Sequence, residues 1–274
     1  MARYAATLIV SIYKDITKLR CILETLAWQT SNEFEILVSE DGADDGVGAF
    51  LQPYRTRLPN LSHLTQEDRG FRKNRALNRA ILAAQSDFLI FIDGDCVPHS
   101  HFVEAHIRNA ESRAICAGRR VELGALYSQR LIEQPEFLLA LENPWRYLTL
   151  ARALHRDGIK NYEFGFVSPL LHNLTHNRPI HIVGSNFSCP RAALETVNGF
   201  NEDFESPGIG EDADLEWRME AAGYHVKNIK FLATVYHLHH PRSYVVSERN
   251  REIMTETRTH NIWRCARGLD QAKP

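Results

Sequence analysis

Apolar and polar positions in the amino-terminal part of the chain follow two different periods. Residues 7–11 (TLIVS) and 34–39 (FEILVS) are short β-branched runs, and Phe88-Leu89-Ile90-Phe91-Ile92 is an unbroken apolar run. Each reads as a strand, the last one buried on both faces. Residues 61–65 suggest a further strand. Between these runs, Ile16, Leu19, Ile22, Leu23 and Leu26 recur at helical spacing, and so do Ala76, Leu77, Ala80, Ile81 and Ala84. Each set predicts a helix with one buried stripe. Strands that alternate with helices imply an α/β fold, a parallel sheet with helices on both faces.

Past Pro98 the pattern loosens. Strands are predicted over residues 115–123, 180–188 and 229–236, and helices over 137–141, 147–154, 191–197 and 212–222. Residues 126–179 are rich in Leu, Arg, His, Tyr and Pro without a clean period, so part of this stretch reads as a long loop or lid. The tail from residue 243 carries Arg249, Arg251, Arg258, Arg264 and Arg267 and reads as helical. No repeat or low-complexity linker divides the chain. We therefore expect one domain over residues 1–245, with a variable insertion at 125–180, and a helical tail at 246–274.

Composition narrows the function. A formal charge of -2 over 274 residues provides no basic field for nucleic acid or an anionic membrane. A polyanionic ligand would need local positive charge instead. The five cysteines lack paired metal-ligand spacing and read as reduced, mostly buried thiols. Met1-Ala2-Arg3-Tyr4 does not begin a signal peptide, and no run is apolar enough to cross a bilayer. The expected location is cytoplasmic, with peripheral membrane contact left open.

Four segments carry candidate chemistry. Asp93-Gly94-Asp95 follows the apolar strand, so its carboxylates stand at a strand's carboxyl end, where open α/β sheets place ligands. Gly94 allows side chains two apart to converge, and hard oxygen donors suit Mg²⁺ or Mn²⁺. The same tripeptide also makes ordinary turns. Ser39-Glu40-Asp41-Gly42, continuing to Asp44 and Asp45, ends the second strand and could accept bonds from a base or ribose, or be a solvated turn. Gly208 and Gly210 lead into Glu211, Asp212 and Asp214 at a helix start, which is also routine capping chemistry. Finally, His237, His239 and His240 cluster just past the last strand, where an imidazole could join carboxylates on a metal.

In this order the segments resemble the family 2 glycosyltransferases of the GT-A fold, over roughly residues 5–245. The matching stretches are TLIVSIYKD, FEILVSEDGADDG, QEDRGFRKNRALNRAI, FLIFIDGDCVPHSHF, GSNFSCPRAALETVNGFNEDF and GIGEDADLEWRMEAAGY. The last two, with the histidines, also resemble the carboxyl-terminal half of galactosyl- and N-acetylgalactosaminyl-transferases, including bacterial chondroitin-polymerase-type domains. Glu40-Asp41 departs from the family's usual pair of aspartates.

The resemblance implies a Rossmann-like, mixed but mostly parallel sheet and an inverting transferase. Its donor would be a UDP-sugar, with Gal or GalNAc favoured over a glucose-type sugar. Its acceptor would be a glycan or lipid-linked saccharide, in bacterial surface polysaccharide synthesis. Asp95 would ligate Mn²⁺ or Mg²⁺, with His237 completing the site and Asp93 contacting ribose or the metal. Glu40 or Asp41 would bind uracil or ribose. Arg69 and Arg72 would approach phosphates, and Asn78 and Asn186 would hold nucleotide or donor sugar. Asp212 would be the general base, ionised but weak because a helix N-terminus lowers its pKa, and Glu211 would orient the acceptor. Two other classes compete: a nucleotidyltransferase, for which Ser11-Ile12-Tyr13-Lys14 is a poor phosphate loop, and a non-catalytic sugar-nucleotide-binding module. Trp145, Tyr147, Tyr162, Phe164 and Phe166 would form either acceptor-stacking walls or a satellite core. The tail with Trp263 would touch a membrane or be a plain solvated helix.

Overall fold

The computed structural model describes residues 3–43, 45–208, 210–241 and 247–272. Asp44, Ile209 and the expected domain boundary at 245 lie outside them. Strands β1 (Ala6–Ile12), β2 (Phe34–Glu40), β3 (Leu61–Thr65) and β4 (Phe88–Asp93) follow the predicted runs. Short strands complete the set: β5 (Cys96–Pro98), β6 (Ala114–Ala117), β7 (Arg119–Glu122), β8 (Phe187–Pro190), β9 (His225–Asn228) and β10 (Thr234–His237). The main sheet runs β3-β2-β1-β4-β8-β6-β9, and β5-β10-β7 form a small second sheet. Only β8 opposes its neighbours in the main sheet, so the sheet is mixed and mostly parallel.

Because side chains alternate across a strand, β1 feeds two cores. Leu8 and Val10 join Ile36, Ile90 and the stripe of the helix Ile16–Leu26 on one face. On the other, Ile9 joins Leu89, Phe91 and the helices Lys73–Ala83 and Glu211–Ala221 through Leu77, Ala80, Leu215 and Met219. The parallel register pairs Ser11 with Asp93 and Ile12 with Glu40, which aligns the carboxyl ends of three strands along one edge. Under the helix Glu211–Ala221, fully buried Arg218 donates to Asp214 at 2.7 Å and to the Val197 and Gly199 carbonyls.

Three predicted strands differ, for local reasons. Residues 115–123 break at Gly118 into β6 and β7, which enter separate sheets; a Cβ there would lie 2.2 Å from Asn186 Oδ1. Residues 180–186 are not a strand, because Glu216 takes the Ile182 N–H and Asp212 takes the Gly184 N–H that a ladder would need. Residues 229–236 turn at Phe231, whose φ is +66°, and only the end of the stretch pairs as β10. Among the described residues all five cysteines are free and buried, and no helix is long and apolar enough to cross a membrane.

His106 is fully buried between Ser188 Oγ at 2.7 Å and Asn186 Oδ1 at 3.1 Å, and burial pushes its pKa down to about 3. The unfolded chain therefore takes up this proton below about 6.5, while the folded protein refuses it until about 3. His106 thus contributes its full stability above 6.5 and loses it as pH falls. In urea titrations the wild type's stability advantage over His106→Gln should shrink by about 1.4 kcal/mol per pH unit below 6.5. An advantage constant with pH would contradict this.

Candidate active site

At the aligned strand ends lies a cleft of about 580 Å³, lined by Ser11, Tyr13, Asp41, Phe71, Lys73 and Asp93 to Asp95 among others. That is the size of a small-ligand pocket. Asp93 ends β4, and Gly94 then turns with its N–H donating to Ser11 O at 2.7 Å. A Cβ at Gly94 would sit 2.7 Å from Ile12 Cγ2 and 2.8 Å from Ser11 O, so only glycine fits this turn.

Asp95 meets imidazoles that lie far away in sequence. The antiparallel pairing of β5 with β10 puts His237 opposite Cys96, and the Leu238 N–H donates to Asp95 O at 2.8 Å. As a result His237 Nε2 lies 3.5 Å and His240 Nε2 3.1 Å from Asp95 Oδ2. His239 points away, exposed, and its N–H donates to Ser128 Oγ. Burial alone would raise the Asp95 carboxyl, but the His240 bond and the two imidazoles hold it well below the usual carboxylate range. Burial lowers His237, which keeps its ring neutral, whereas the bond to Asp95 raises His240.

The second acidic cluster meets the first through Lys73. Lys73 Nζ is 2.8 Å from Asp93 Oδ1 and 3.7 Å from Glu211 Oε1, so one ammonium joins the strand carboxylate to the helix carboxylates. Burial opposes its charge, but Asp93, Glu211 and Asp212 hold it well above the usual lysine range. Asp212 Oδ2 accepts the Gly184 N–H at 2.7 Å, and a Cβ on Gly184 would fall 2.5 Å from Asp212 Oδ1. A small cavity of about 10 Å³, enough for one water, touches Lys73, Asp93, Glu211 and Asp212. Burial pushes Glu211 up to about 7 against the pull of Lys73, with Asp212 and Asp93 adding to the rise. Its Oε2 is buried without a hydrogen-bond partner among the described residues. Burial also raises Asp212, opposed by Lys73 and the Gly184 amide. This corrects the expectation from the helix N-terminus: burial beside two carboxylates outweighs the dipole, and Asp212 is a stronger base than its position in sequence suggests.

The other predicted residues are spread more widely. Asp41 lines the cleft and accepts from Gln66 Nε2 at 2.8 Å and the Arg72 N–H at 2.7 Å. Glu40 is buried behind it on His63 at 2.9 Å. Arg69 is exposed on Glu67, away from the cleft wall. Asn78 is drawn into the core, where it binds the Phe200 backbone and Glu202. Asn186 is fully buried on the Arg119 and Ala233 carbonyls. The carboxamides of both are satisfied by protein groups, because each ties one segment of backbone to another.

Sequence reasoning passed over Lys73 in favour of Arg69 and Arg72. The signal was present: Lys73, Leu77, Ala80 and Ala84 share one helical stripe, so a cation stood on the buried face. Tyr13 was also missed; its ring, 57% exposed, stands over the cleft. In the insertion, Tyr147 and Tyr162 stack at 4.3 Å and Phe166 packs edge-on against both. The satellite core is therefore the arrangement found, with only Trp145 left outside at 78% exposure.

The donor set around Asp95 fits a divalent cation. Ligand atoms of Asp95, Cys96 and His237 lie within 4.8 Å of one another. Burial raises the Cys96 thiol well above its usual range, which disfavours thiolate, and a hard divalent cation prefers the carboxylate and imidazole. Asp93 is already engaged by Lys73.

Comparison with known proteins gives a consistent result. The family model described as "Glycosyl transferase family 2" matches residues 7–181, and "N-terminal domain of galactosyltransferase" matches 174–241. Validoxylamine A glucosyltransferase of Streptomyces hygroscopicus subsp. jinggangensis (strain 5008) is 29% identical over 79% of this chain. The chain spans about half, 51%, of that curated relative's length. The structure of S. aureus TarS 1-349 in complex with UDP superposes with a TM-score of 0.62 at 17% identity, covering 97% of this chain and 68% of that one. GalNAc-T7 with UDP, GalNAc and Mn²⁺ gives 0.62 at 10% identity, covering 92% and 47%. These two likenesses show the GT-A fold alone.

Proposed function

Since this chain belongs to glycosyl transferase family 2, we propose that it is a metal-dependent, inverting hexosyltransferase of bacterial surface polysaccharide synthesis. Its donor is UDP-Gal or UDP-GalNAc in preference to a glucose-type UDP-sugar, and its acceptor a hydroxyl of a glycan or lipid-linked saccharide. Residues 1–245 form the transferase domain, 125–180 its acceptor-side insertion, and 246–274 a helical tail. The observation that carries this reading is Asp95 in the cleft lining, 3.5 Å from His237 and 3.1 Å from His240, with Lys73 and Asp93 lining both that cleft and the small cavity that touches Asp212. The galactosyltransferase match over the second half supports the choice of sugar.

The chain's own groups have distinct tasks. Tyr13 and Phe71 offer apolar walls to a base, and Asp41 is the acceptor for base or ribose. Asp95, His237 and His240 would hold the cation. When bound, the cation supplies Lewis-acid charge to the leaving diphosphate. Lys73 keeps Asp93 and Glu211 in place beside it. Glu211 orients the acceptor through its unpartnered oxygen. The acceptor oxygen then attacks the anomeric carbon, the bond to the diphosphate breaks, UDP leaves, and Asp212 takes the hydroxyl proton. This reading assigns one carboxylate as base and none as nucleophile, in keeping with inversion.

The test is a panel of UDP-sugars assayed for UDP release with Mn²⁺ and with chelator. Release from UDP-Gal or UDP-GalNAc that stops on chelation is expected. Turnover that is equal with and without metal would refute the metal role, and a product of retained anomeric configuration would refute inversion.

A further inference from the structure

The helical segment after β7 is the least explained part of the surface. Its longest helix, Pro144–Arg156, buries Tyr147 and Leu154 on its inner side. Trp145, Thr149, Arg152 and Arg156 recur at i, i+4, i+7 and i+11 on the outer side. Trp145 is 78% exposed and Leu148 beside it 51%. The helix contains no acidic residue. Among the described residues, Arg146, Arg152 and Arg156 have no ion-pair partner. The nearest acids in sequence are already occupied: Glu142 on Ser100, and Asp157 on the Leu126 and Tyr127 amides.

The tail, which has more arginines, behaves differently. Arg249 pairs with Glu252, Arg251 with Glu248, Arg264 with Asp270 and Arg267 with Asp203. Four of its arginines are paired, whereas those of Pro144–Arg156 are left open. An exposed Trp and Leu among unpaired arginines complement one surface in particular, the headgroup layer of an anionic bilayer. There the ring sits at the interface and the guanidinium groups meet lipid phosphate.

We infer that the outer face of Pro144–Arg156 is a docking surface for an anionic membrane. The helical segment that carries this face is also tied to the site, through the two helices just before it. Tyr236 of β10, next to His237, donates to Leu141 O at 3.2 Å, and Ser128 Oγ accepts the His239 N–H at 2.7 Å. Docking this helix therefore fixes the cleft relative to the lipid surface. The inference rests on the proposed function only for what such placement serves, delivery of a lipid-linked acceptor; the docking itself does not depend on it.

The test is co-sedimentation of the full chain with vesicles of phosphatidylcholine alone and of phosphatidylcholine with phosphatidylglycerol. Pelleting with the anionic vesicles only, weakened by salt, is expected. Each charge reversal among Arg146→Glu, Arg152→Glu and Arg156→Glu should weaken partitioning about five-fold, and Trp145→Ala should weaken it further. All four residues are exposed. Circular dichroism and UDP release from free donor should stay at wild-type levels, which separates lost docking from lost folding or lost chemistry. Wild type that fails to pellet, pellets equally with neutral vesicles, or is matched by the triple variant would overturn the docking surface. Failure of UDP release in the wild type would count against the proposed reaction instead.

Discussion

Asp212→Asn is expected to lower turnover by about three orders of magnitude while leaving the donor's KM within a few-fold. Asparagine keeps the shape of the side chain and retains an oxygen to accept the Gly184 N–H that now binds Asp212 Oδ2 at 2.7 Å. The helix start and its packing on the segment before β8 should therefore survive. What is lost is the proton acceptor of the proposed reaction. Glu211 is adjacent and, pushed up to about 7 by burial, is basic enough itself. The proposed reaction gives it the acceptor to orient, so it is not positioned to take the proton. Single-turnover transfer compared with equilibrium donor binding would separate the two effects. A variant that turns over within a few-fold of wild type would remove Asp212 from the role of base.

How much of this was legible beforehand depends on how local each feature is. The strands β1, β2 and β4 could be read because every apolar residue of their runs is buried, so pattern and environment agree. The strand expected over residues 180–186 failed because two side chains of one helix, Asp212 and Glu216, claim its amides, and hydrophobicity gives no sign of that. Asp93 and Asp95 were evident as a motif, but not their separation: Asp93 belongs to Lys73, while Asp95 belongs to the histidines. That division is set by the pairing of β5 with β10 and by one helix facing β4, both tertiary facts. Asn78 and Asn186 show the opposite limit. A polar side chain beside a motif looks like a ligand contact, yet both are spent joining backbone segments inside the core. In the tail, whose arginines and Trp263 fit either a membrane contact or a solvated helix, Arg264 and Arg267 take partners that only folding supplies.

That division makes a second sharp prediction. Asp95→Ala should lower Mn²⁺-dependent transfer by about a thousand-fold and abolish Mn²⁺ binding measured by calorimetry. With Asp95 gone, the site would keep two imidazoles and no unopposed carboxylate, since the Asp93 charge is already compensated by an ammonium 2.8 Å away. The nearby Arg120 disfavours a positive charge at His237, so the imidazoles alone face a repulsive field. Asp93→Asn should therefore cost less metal affinity than Asp95→Ala, although it leaves Lys73 with Glu211 as its remaining close partner at 3.7 Å. Single replacements of His237 and His240 by alanine would show which ring carries the affinity, and neutral, partly buried His237 is expected to matter more. The ranking fails if Asp93→Asn loses the metal and Asp95→Ala keeps it. Asp95→Ala turning over with Mn²⁺ at the wild-type rate would remove this carboxylate from the reaction altogether.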